Sequence, residues 1–160
     1  MIKTDRLTIY PLNWQDLKLL IDNTREFEKK YNCKYDATPL TGIYFSILRN
    51  QIEITKKEEF FEFNTFWLVI HNDIVIGAAC FKGIKDDSVE IGYGLGEKYT
   101  GQGFMTETVK AMCEFAFKKV NNIIAFCDKD NAKSINLLKR VGFEFIEEQE
   151  ELLFKLKKES

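Results

Sequence analysis

The sequence is poor in the residues that metal and redox sites require. It contains one histidine, His71, and its four cysteines form no Cys-x-x-Cys pair, so the spacing typical of a zinc or redox site is absent. His71 falls at a predicted turn, where a surface position is the common case, and we assign it no role. We therefore expect no metal, and we expect the cysteines to be reduced core residues of a cytoplasmic protein.

Long apolar runs and an excess of one charge are also absent. No apolar stretch approaches the roughly 20 residues of a membrane-spanning helix, and the first residues are polar, unlike a signal peptide. The 23 basic and 25 acidic side chains are interspersed, and the net charge of -2 gives no broad basic surface for nucleic acid. We expect neither a membrane nor a nucleic-acid partner, and either a monomer or a homodimer.

The remaining composition suits one globular domain. With 160 residues and 45% hydrophobic content, the chain is long enough to bury a core, and it contains no repeat or low-complexity linker. The apolar periodicities predict strands at 6–12, 66–71, 74–81, 123–127, 143–146 and 152–156, another strand ending near 95, and helices at 14–23, 41–54, 105–120 and 131–141. A further short helix is possible within 25–35. This order predicts a single mixed α/β domain spanning 1–160.

The most informative stretch is 90–107, which reads EIGYGLGEKYTGQGFMTE. It predicts the end of a strand, a glycine-rich turn and the start of a helix, an arrangement whose free N–H groups can bind an anion. It is not a P-loop, because Gln102 and Gly103 stand where Lys and Ser or Thr are needed. It also lacks the third glycine of a dinucleotide fingerprint, having Tyr99 there.

Four motifs in register resemble the GNAT superfamily of acyl-CoA-dependent N-acyltransferases, and within it the ribosomal-protein N-terminal acetyltransferase (Rim) type. They are Thr4-Asp5-Arg6-Leu7, Glu90-Ile91-Gly92-Tyr93, Gly101-Gln102-Gly103-Phe104-Met105-Thr106-Glu107 and Asn131-x-x-Ser134-x-x-x-Leu138-x-x-x-Gly142-Phe143. The resemblance covers nearly the whole chain. It implies a GNAT fold with about seven strands in a mixed, mostly antiparallel sheet that splays in the middle, flanked by about four helices.

The same resemblance implies that acetyl-CoA is the co-substrate. The implied cofactor-binding residues are Tyr93 and Leu95 through their backbone, Gly101, Gln102, Gly103, Phe104, Met105 and Thr106 at the pyrophosphate, and Asn131 and Ser134 at the pantetheine. Two positions depart from the family pattern. Thr100 replaces a long polar side chain and Met105 replaces a small residue, which a site that works mainly through backbone donors tolerates.

For catalysis, acyl transfer needs a neutral amine, and Glu90 is the candidate general base, directly or through a water. Glu90 falls on the same predicted strand face as Gly92 and Gly94, which predicts open space beside its carboxylate. Many family members protonate the departing thiolate with a tyrosine in the last helix, where this chain has Leu138. Either another group donates that proton, or the thiolate, a good leaving group, departs unassisted. Ser134 falls one turn earlier on the same face and is the second catalytic candidate, directly or through water.

The amine acceptor is the least defined part. Five aromatic residues of the first third either line its pocket or fill a second core: Phe27, Tyr31, Tyr35, Tyr44 and Phe45. The Rim resemblance places protein N-termini first among the acceptors, ahead of polyamines, amino sugars and amino acids. Because Leu138 cannot donate a proton, a non-catalytic acyl-CoA-binding module is the alternative from a different functional class.

Overall fold

The protein is built on one mixed sheet, here described in a computed structural model that covers residues 1–160. The strands are β1 (Ile2–Lys3), β2 (Thr8–Pro11), β3 (Lys34–Tyr35), β4 (Asn64–His71), β5 (Ile74–Lys85), β6 (Ser88–Leu95), β7 (Asn122–Cys127), β8 (Glu144–Glu148) and β9 (Leu152–Lys157). The helices are α1 (Trp14–Asp22), α2 (Thr24–Tyr31), α3 (Gly42–Lys56), α4 (Phe104–Ala116) and α5 (Ala132–Val141), with short 3₁₀ helices at Phe61–Phe63 and Glu97–Tyr99.

The strand order is β1-β2-β4-β5-β6-β7-β9-β8, with β3 pairing β5 beside this path. Only the β3/β5 and β6/β7 pairs are parallel, so the predicted GNAT fold class, mixed and mostly antiparallel, is confirmed. There are nine strands where about seven were expected, because β1 and β3 contain two residues each and are too short to show an alternating pattern. The fifth helix is α2, from the aromatic and charged segment 25–35.

The sheet opens between its two parallel central strands. β6 and β7 are paired only at Ser88 with Asn122, Val89 with Ile123, and Glu90 with Ile124. Beyond these pairs, β6 runs on to Leu95 and β7 to Cys127 without a common ladder. The resulting gap is the splay expected in the middle of the sheet, and it positions the site described below.

Two apolar cores cover the two faces of the sheet. The larger contains 24 buried residues and packs the sheet against α4 and α5, whereas the smaller contains 8 and packs it against α1, α2 and α3. Strand β6 alternates as predicted, since Val89 and Ile91 are buried in the larger core and Tyr93 packs against it. Gly92 faces the other side, opposite Cys80 of β5.

The helix boundaries follow their capping residues. Asn13 caps α1 by accepting a hydrogen bond from the Asp16 N–H at 2.8 Å, and Gly142, with φ of +113°, ends α5. Helix α4 ends at Ala116 and not at the predicted Val120, which lies beyond the helix end and is nevertheless buried in the larger core. None of the helices combines the length and the apolar character that crossing a bilayer requires.

Candidate active site

The gap between β6 and β7 leads into a cleft of about 490 Å³. Its walls come from the end of β6, the turn that follows, the first turn of α4 and one face of α5 from its N-terminus to Arg140. The lining residues are Tyr93, Gly94, Leu95, Thr100, Gly101, Gly103, Phe104, Met105, Thr106, Asn131, Lys133, Ser134, Asn136, Leu137 and Arg140. Two helix N-termini therefore converge on one cleft, and their first N–H groups favour a negatively charged ligand.

Nearly all of the predicted cofactor-binding residues lie in this cleft. The lining includes Tyr93, Leu95, Gly101, Gly103, Phe104, Met105, Thr106, Asn131 and Ser134. Gln102 is the exception, since it is exposed outside the lining and its carbonyl accepts a hydrogen bond from Arg6 at 2.9 Å. The structure thus brings the predicted set together, and binding of the cofactor by these residues stays a prediction.

The glycine turn gives α4 its free N-terminus. Gly101 and Gly103 both have φ of +80°, a conformation that side chains disfavour. Gly103 is the N-cap and makes no side-chain cap bond, so it leaves the first N–H groups of α4 without a side-chain partner. The two departures from the family pattern are accommodated: Met105 is buried in the larger core, and the Thr100 hydroxyl donates to the Glu97 carbonyl at 2.9 Å.

The N-terminal motif braces this turn. The Glu107 carboxylate accepts hydrogen bonds from the Thr4 hydroxyl at 2.5 Å and from the Arg6 Nε at 2.8 Å. The Arg6 guanidinium also lies over the Phe104 ring, 4.5 Å from its centroid. Burial acts to raise the pKa of Glu107, but the bonds from Thr4 and Arg6 outweigh it and hold the pKa below its usual value. The N-terminal motif 4–7 and the glycine turn motif 101–107 are therefore in direct contact.

Two basic residues in the cleft were missed by the sequence analysis. Lys133 and Arg140 lie on the α5 side of the cleft, and Arg140 donates a hydrogen bond to the Thr106 hydroxyl at 2.9 Å. A signal for them exists, because positions seven residues apart on a helix share a face. The helix beginning at the Asn131 cap was already expected to face the cofactor, so basic residues on that face were candidates for an anion.

A tyrosine and a serine meet at the inner part of the cleft. The Tyr93 hydroxyl of β6 and the Ser134 Oγ of α5 are 2.6 Å apart, and either can be the donor. Ser134 is buried at 9% exposure, and its N–H donates to the Asn131 side chain at 3.1 Å. Burial raises the pKa of Tyr93, while the hydrogen bond with Ser134 acts in the opposite direction. Leu138, one turn after Ser134, is fully buried in the core.

A second, smaller cavity of about 180 Å³ adjoins the cleft. Its lining residues are Ala37, Thr38, Tyr44, Phe66, Ala78, Ala79, Cys80, Gly92, Tyr93 and Gly94. Tyr93 and Gly94 line both spaces, so β6 is a common wall. Of the five aromatic candidates from the first third of the chain, Tyr44 lines this cavity, whereas Phe27 is fully buried in the smaller core.

Glu90 is not part of the lining of the second cavity, although Gly92, the next residue on the same face of β6, is. Its carboxylate is about one quarter exposed and accepts a hydrogen bond from Lys82 Nζ at 2.7 Å. Burial acts to lower the pKa of Lys82, but the bond and the charge of Glu90 outweigh it and raise that pKa. The lysine therefore stays charged and paired with the carboxylate.

The expected open space beside Glu90 is corrected by the structure. A Cβ at Gly92 would lie 3.1 Å from the Cys80 sulfur and 3.6 Å from the Lys82 side chain, so these two neighbours fill that part of the strand face. The face is open one step further along, because a Cβ at Gly94 would meet nothing within 4 Å. The strand pattern could not reveal this, since Cys80 and Lys82 come from the neighbouring strand β5.

Asp36, next to the cavity-lining residue Ala37, contacts two residues of the turn after β6. Asp36 directly follows β3, which pairs with β5, and its carboxylate forms an ion pair with Lys98 at 2.6 Å. The Tyr99 hydroxyl also donates to Asp36. The bond from Lys98 and that from Tyr99 hold the pKa of Asp36 below its usual value. No group of three His, Cys, Asp or Glu side chains is placed to hold a metal ion.

Comparison with known proteins identifies the relatives of this chain. Residues 6–144 match the family model described as the acetyltransferase (GNAT) domain. The uncharacterized N-acetyltransferase p20 of Bacillus licheniformis is 30% identical over 148 residues, which cover 88% of this chain and 80% of that protein.

Solved structures agree on the fold. The ribosomal-protein-S5-alanine acetyltransferase from Vibrio fischeri has a TM-score of 0.68 at 17% identity, over 98% of this chain and 95% of that one. The microcin C7 self-immunity acetyltransferase MccE, solved in complex with acetyl-CoA and AMP, has a TM-score of 0.66 at 20% identity, over 96% of this chain and 93% of that one. At these identities the likeness concerns the fold alone.

Proposed function

Because this chain belongs to the GNAT family of acetyltransferases, we propose that it transfers the acetyl group of acetyl-CoA to the N-terminal amine of a protein or peptide. The transfer is a direct attack within a ternary complex. The observation that carries the proposal is that Tyr93 and Gly94 line both the cleft and the second cavity. A thioester held in the cleft and an amine held in the cavity meet beside these two residues, as direct attack requires.

The cleft has the chemistry that acetyl-CoA demands. The free N–H groups at the start of α4 suit a pyrophosphate, and Lys133 and Arg140 add positive charge on the facing helix. Beyond Glu90, β6 has no ladder with β7, so its backbone groups on that edge are free to pair with the amides of a pantetheine arm. The N–H groups, the two basic side chains and the free strand edge therefore support the proposal that acetyl-CoA is the co-substrate.

The second cavity favours an uncharged, compact acceptor around the amine. Seven of its ten lining residues are hydrophobic, and neither Glu90 nor Asp36 is among them. These two carboxylates are moreover paired with Lys82 and Lys98. A polyamine needs several carboxylates and an amino sugar needs many polar partners, whereas the α-amine of a small first residue needs neither. The name of the Vibrio fischeri protein, an alanine acetyltransferase for a ribosomal protein, supports the same acceptor class.

Glu90 is the proposed general base. An α-amine is partly protonated near neutral pH, and it attacks a thioester only as the neutral form. Glu90 shares strand β6, and the strand face, with Gly92 and Gly94, which line the acceptor cavity. Its pairing with Lys82 leaves the second carboxylate oxygen to accept a proton from the amine through a water.

The test is thiol release from acetyl-CoA across a panel of acceptors: alanyl and seryl peptides, spermidine, kanamycin and free amino acids. We expect the fastest amine-dependent release with the peptides. Replacement Glu90→Gln lowers kcat about 100-fold, most strongly at low pH where fewer amines are neutral, and leaves acetyl-CoA affinity nearly unchanged. The matched control is Glu53→Gln, because Glu53 is exposed on α3.

Three results would each contradict a part of the proposal. Saturable binding of acetyl-CoA without amine-dependent thiol release from any acceptor identifies a binding module instead of an enzyme. Faster release with spermidine or kanamycin than with the peptides moves the acceptor to a small molecule. Rates of Glu90→Gln that match those of Glu53→Gln at every pH remove Glu90 as the base.

A further inference from the structure

The leaving-group step lacks the residue that would normally be sought in the last helix. When the adduct formed by amine and thioester collapses, the sulfur departs with the electron pair of the C–S bond, and a proton donor assists it. Leu138 carries no proton to give, and its side chain is fully buried. A residue of another element that faces the cleft must therefore supply the proton.

We propose, on the basis of the function proposed above, that the Tyr93 hydroxyl is the general acid that protonates the departing sulfur, and that Ser134 positions it. Both side chains line the cleft, and their oxygens are 2.6 Å apart. Tyr93 belongs to the wall shared by the two cavities, which is where the acetyl group must change partners. A tyrosine of the central strand thus takes the place of the tyrosine absent from the helix.

The pair spans the opening of the sheet. Tyr93 lies three residues beyond Glu90, the last β6 residue paired with β7, while Ser134 lies in the first turn of α5. Asn131 caps that turn and accepts the Ser134 N–H, so the serine is held by the helix start. With the Ser134 hydroxyl as donor to the Tyr93 oxygen, the phenol keeps its own O–H free to point at the departing sulfur.

Of the two hydroxyls, the phenol is the competent acid. A phenol ionises near pH 10, whereas an aliphatic hydroxyl such as that of Ser134 ionises only far above the physiological range. Burial raises the pKa of Tyr93, so the phenol keeps its proton throughout the neutral range. The proton is consequently present in every turnover, and Ser134 is needed as a hydrogen-bond partner and not as the source.

The proton balance closes without an additional reactant. The C–S bond breaks with its electron pair on sulfur, the Tyr93 O–H bond breaks, and that proton bonds to sulfur to give the free thiol. The phenolate regains a proton from water in the open cleft. The proton lost by the attacking amine leaves through the base to solvent. Amine and thioester have then become amide and thiol, with no net change in protons.

The experiment compares Tyr93→Phe, Ser134→Ala and the double variant by steady-state thiol release with the best acceptor of the panel. We expect Tyr93→Phe to lower kcat about 100-fold with little change in KM for acetyl-CoA. Ser134→Ala lowers kcat about tenfold through lost orientation, and the double variant is no slower than Tyr93→Phe. Tyr93→Phe also removes the solvent deuterium isotope effect on kcat. Tyr10→Phe is the control, because that hydroxyl bonds Asp16 and Tyr31 away from the cleft.

A measurement without any ligand tests the pair itself. Ultraviolet difference titration against Tyr93→Phe reports the pKa of the Tyr93 phenol, and Ser134→Ala should raise it further, because the bond from Ser134 acts to lower it. An unchanged phenol pKa in Ser134→Ala would overturn the pairing. Wild-type kcat in Tyr93→Phe, or a larger loss in Ser134→Ala than in Tyr93→Phe, overturns the assignment of the acid. Absence of amine-dependent release from the wild-type protein contradicts the proposed function instead.

Discussion

The two spaces on either side of the common wall are built in different ways. The cleft draws most of its wall from two short runs, 93–106 and 131–140, and offers backbone N–H groups at two helix starts. The second cavity is lined by five separate segments, represented by Ala37, Tyr44, Phe66, Cys80 and Tyr93. A ligand bound through the backbone is thus encoded in short runs of sequence, whereas an acceptor recognised by side chains is encoded in segments scattered over more than a third of the chain.

Filling the second cavity should give the largest difference between the effect on the acceptor and the effect on acetyl-CoA. Ala78 lines this cavity on β5 and is absent from the lining of the cleft. We expect Ala78→Leu to lower kcat/KM for the best peptide of the panel about 30-fold, because added methyl groups in a packed space cost about 1–3 kcal/mol. Acetyl-CoA affinity, measured by calorimetry, should stay as in the wild type. Ala111→Leu on α4 is the control, and equal losses in cofactor and peptide binding would erase the distinction between the spaces.

Straining the glycine turn should weaken acetyl-CoA binding and leave the acceptor unaffected, and the expected effect is smaller. At φ of +80°, an alanine at Gly103 is strained by about 1–2 kcal/mol, so we expect Gly103→Ala to weaken acetyl-CoA binding up to about tenfold. The peptide KM at saturating acetyl-CoA should hardly change. Gly42→Ala is the matched control, because Gly42 has φ of +58° and a Cβ there meets nothing within 4 Å. Equal effects of both substitutions on cofactor affinity would count against the turn as the pyrophosphate site.

Weakening the brace behind the turn has the smallest expected effect. Thr4 and Arg6 hold the pKa of Glu107 below its unfolded value, so this carboxylate stabilises the fold above about pH 4.3 and loses that effect as the pH falls through its folded pKa. We expect Glu107→Gln to lower the free energy of unfolding by about 1 kcal/mol at pH 7. Urea denaturation measured from pH 7 to pH 3 should show that the difference in the free energy of unfolding between the wild type and Glu107→Gln disappears in acid. Glu114→Gln is the control. A stability difference that persists in acid would contradict the assignment of the effect to the charge of Glu107.

The local encoding of the cleft explains what the sequence could predict. The turn from Gly101 to Thr106, the cap at Asn131 and the alternation of β6 each depend on neighbours in the chain, and the fold class follows from the order of such elements. The splay of β6 from β7 was expected from the family resemblance, because no residue pattern marks where a ladder stops. Lys133 and Arg140 are also encoded locally, because their spacing of seven residues places both on one face of α5.

Contacts between distant segments could not be predicted in the same way. The pairing of Glu90 with Lys82 depends on the register of β5 against β6, which contains a bulge after Phe81. The bond between Tyr93 and Ser134 bridges residues 41 positions apart across a gap in the sheet. Neither contact follows from periodicity, because periodicity assigns a residue to a face but does not identify its neighbour on that face.

The interrupted ladder between β6 and β7 also gives the protein an interior sheet edge. Exposed edges attract strands of other chains and favour aggregation, and proteins usually blunt or cover them. Here the free edge of β6 beyond Glu90 lies within a cleft walled by the starts of α4 and α5, out of reach of a second sheet. A slender ligand with amide groups can use it, and such a ligand would complete the sheet much as an added strand does. Binding of acetyl-CoA, the proposed donor, would then stabilise the folded chain by mass action. The cofactor-bound form of the protein would therefore be the most stable one.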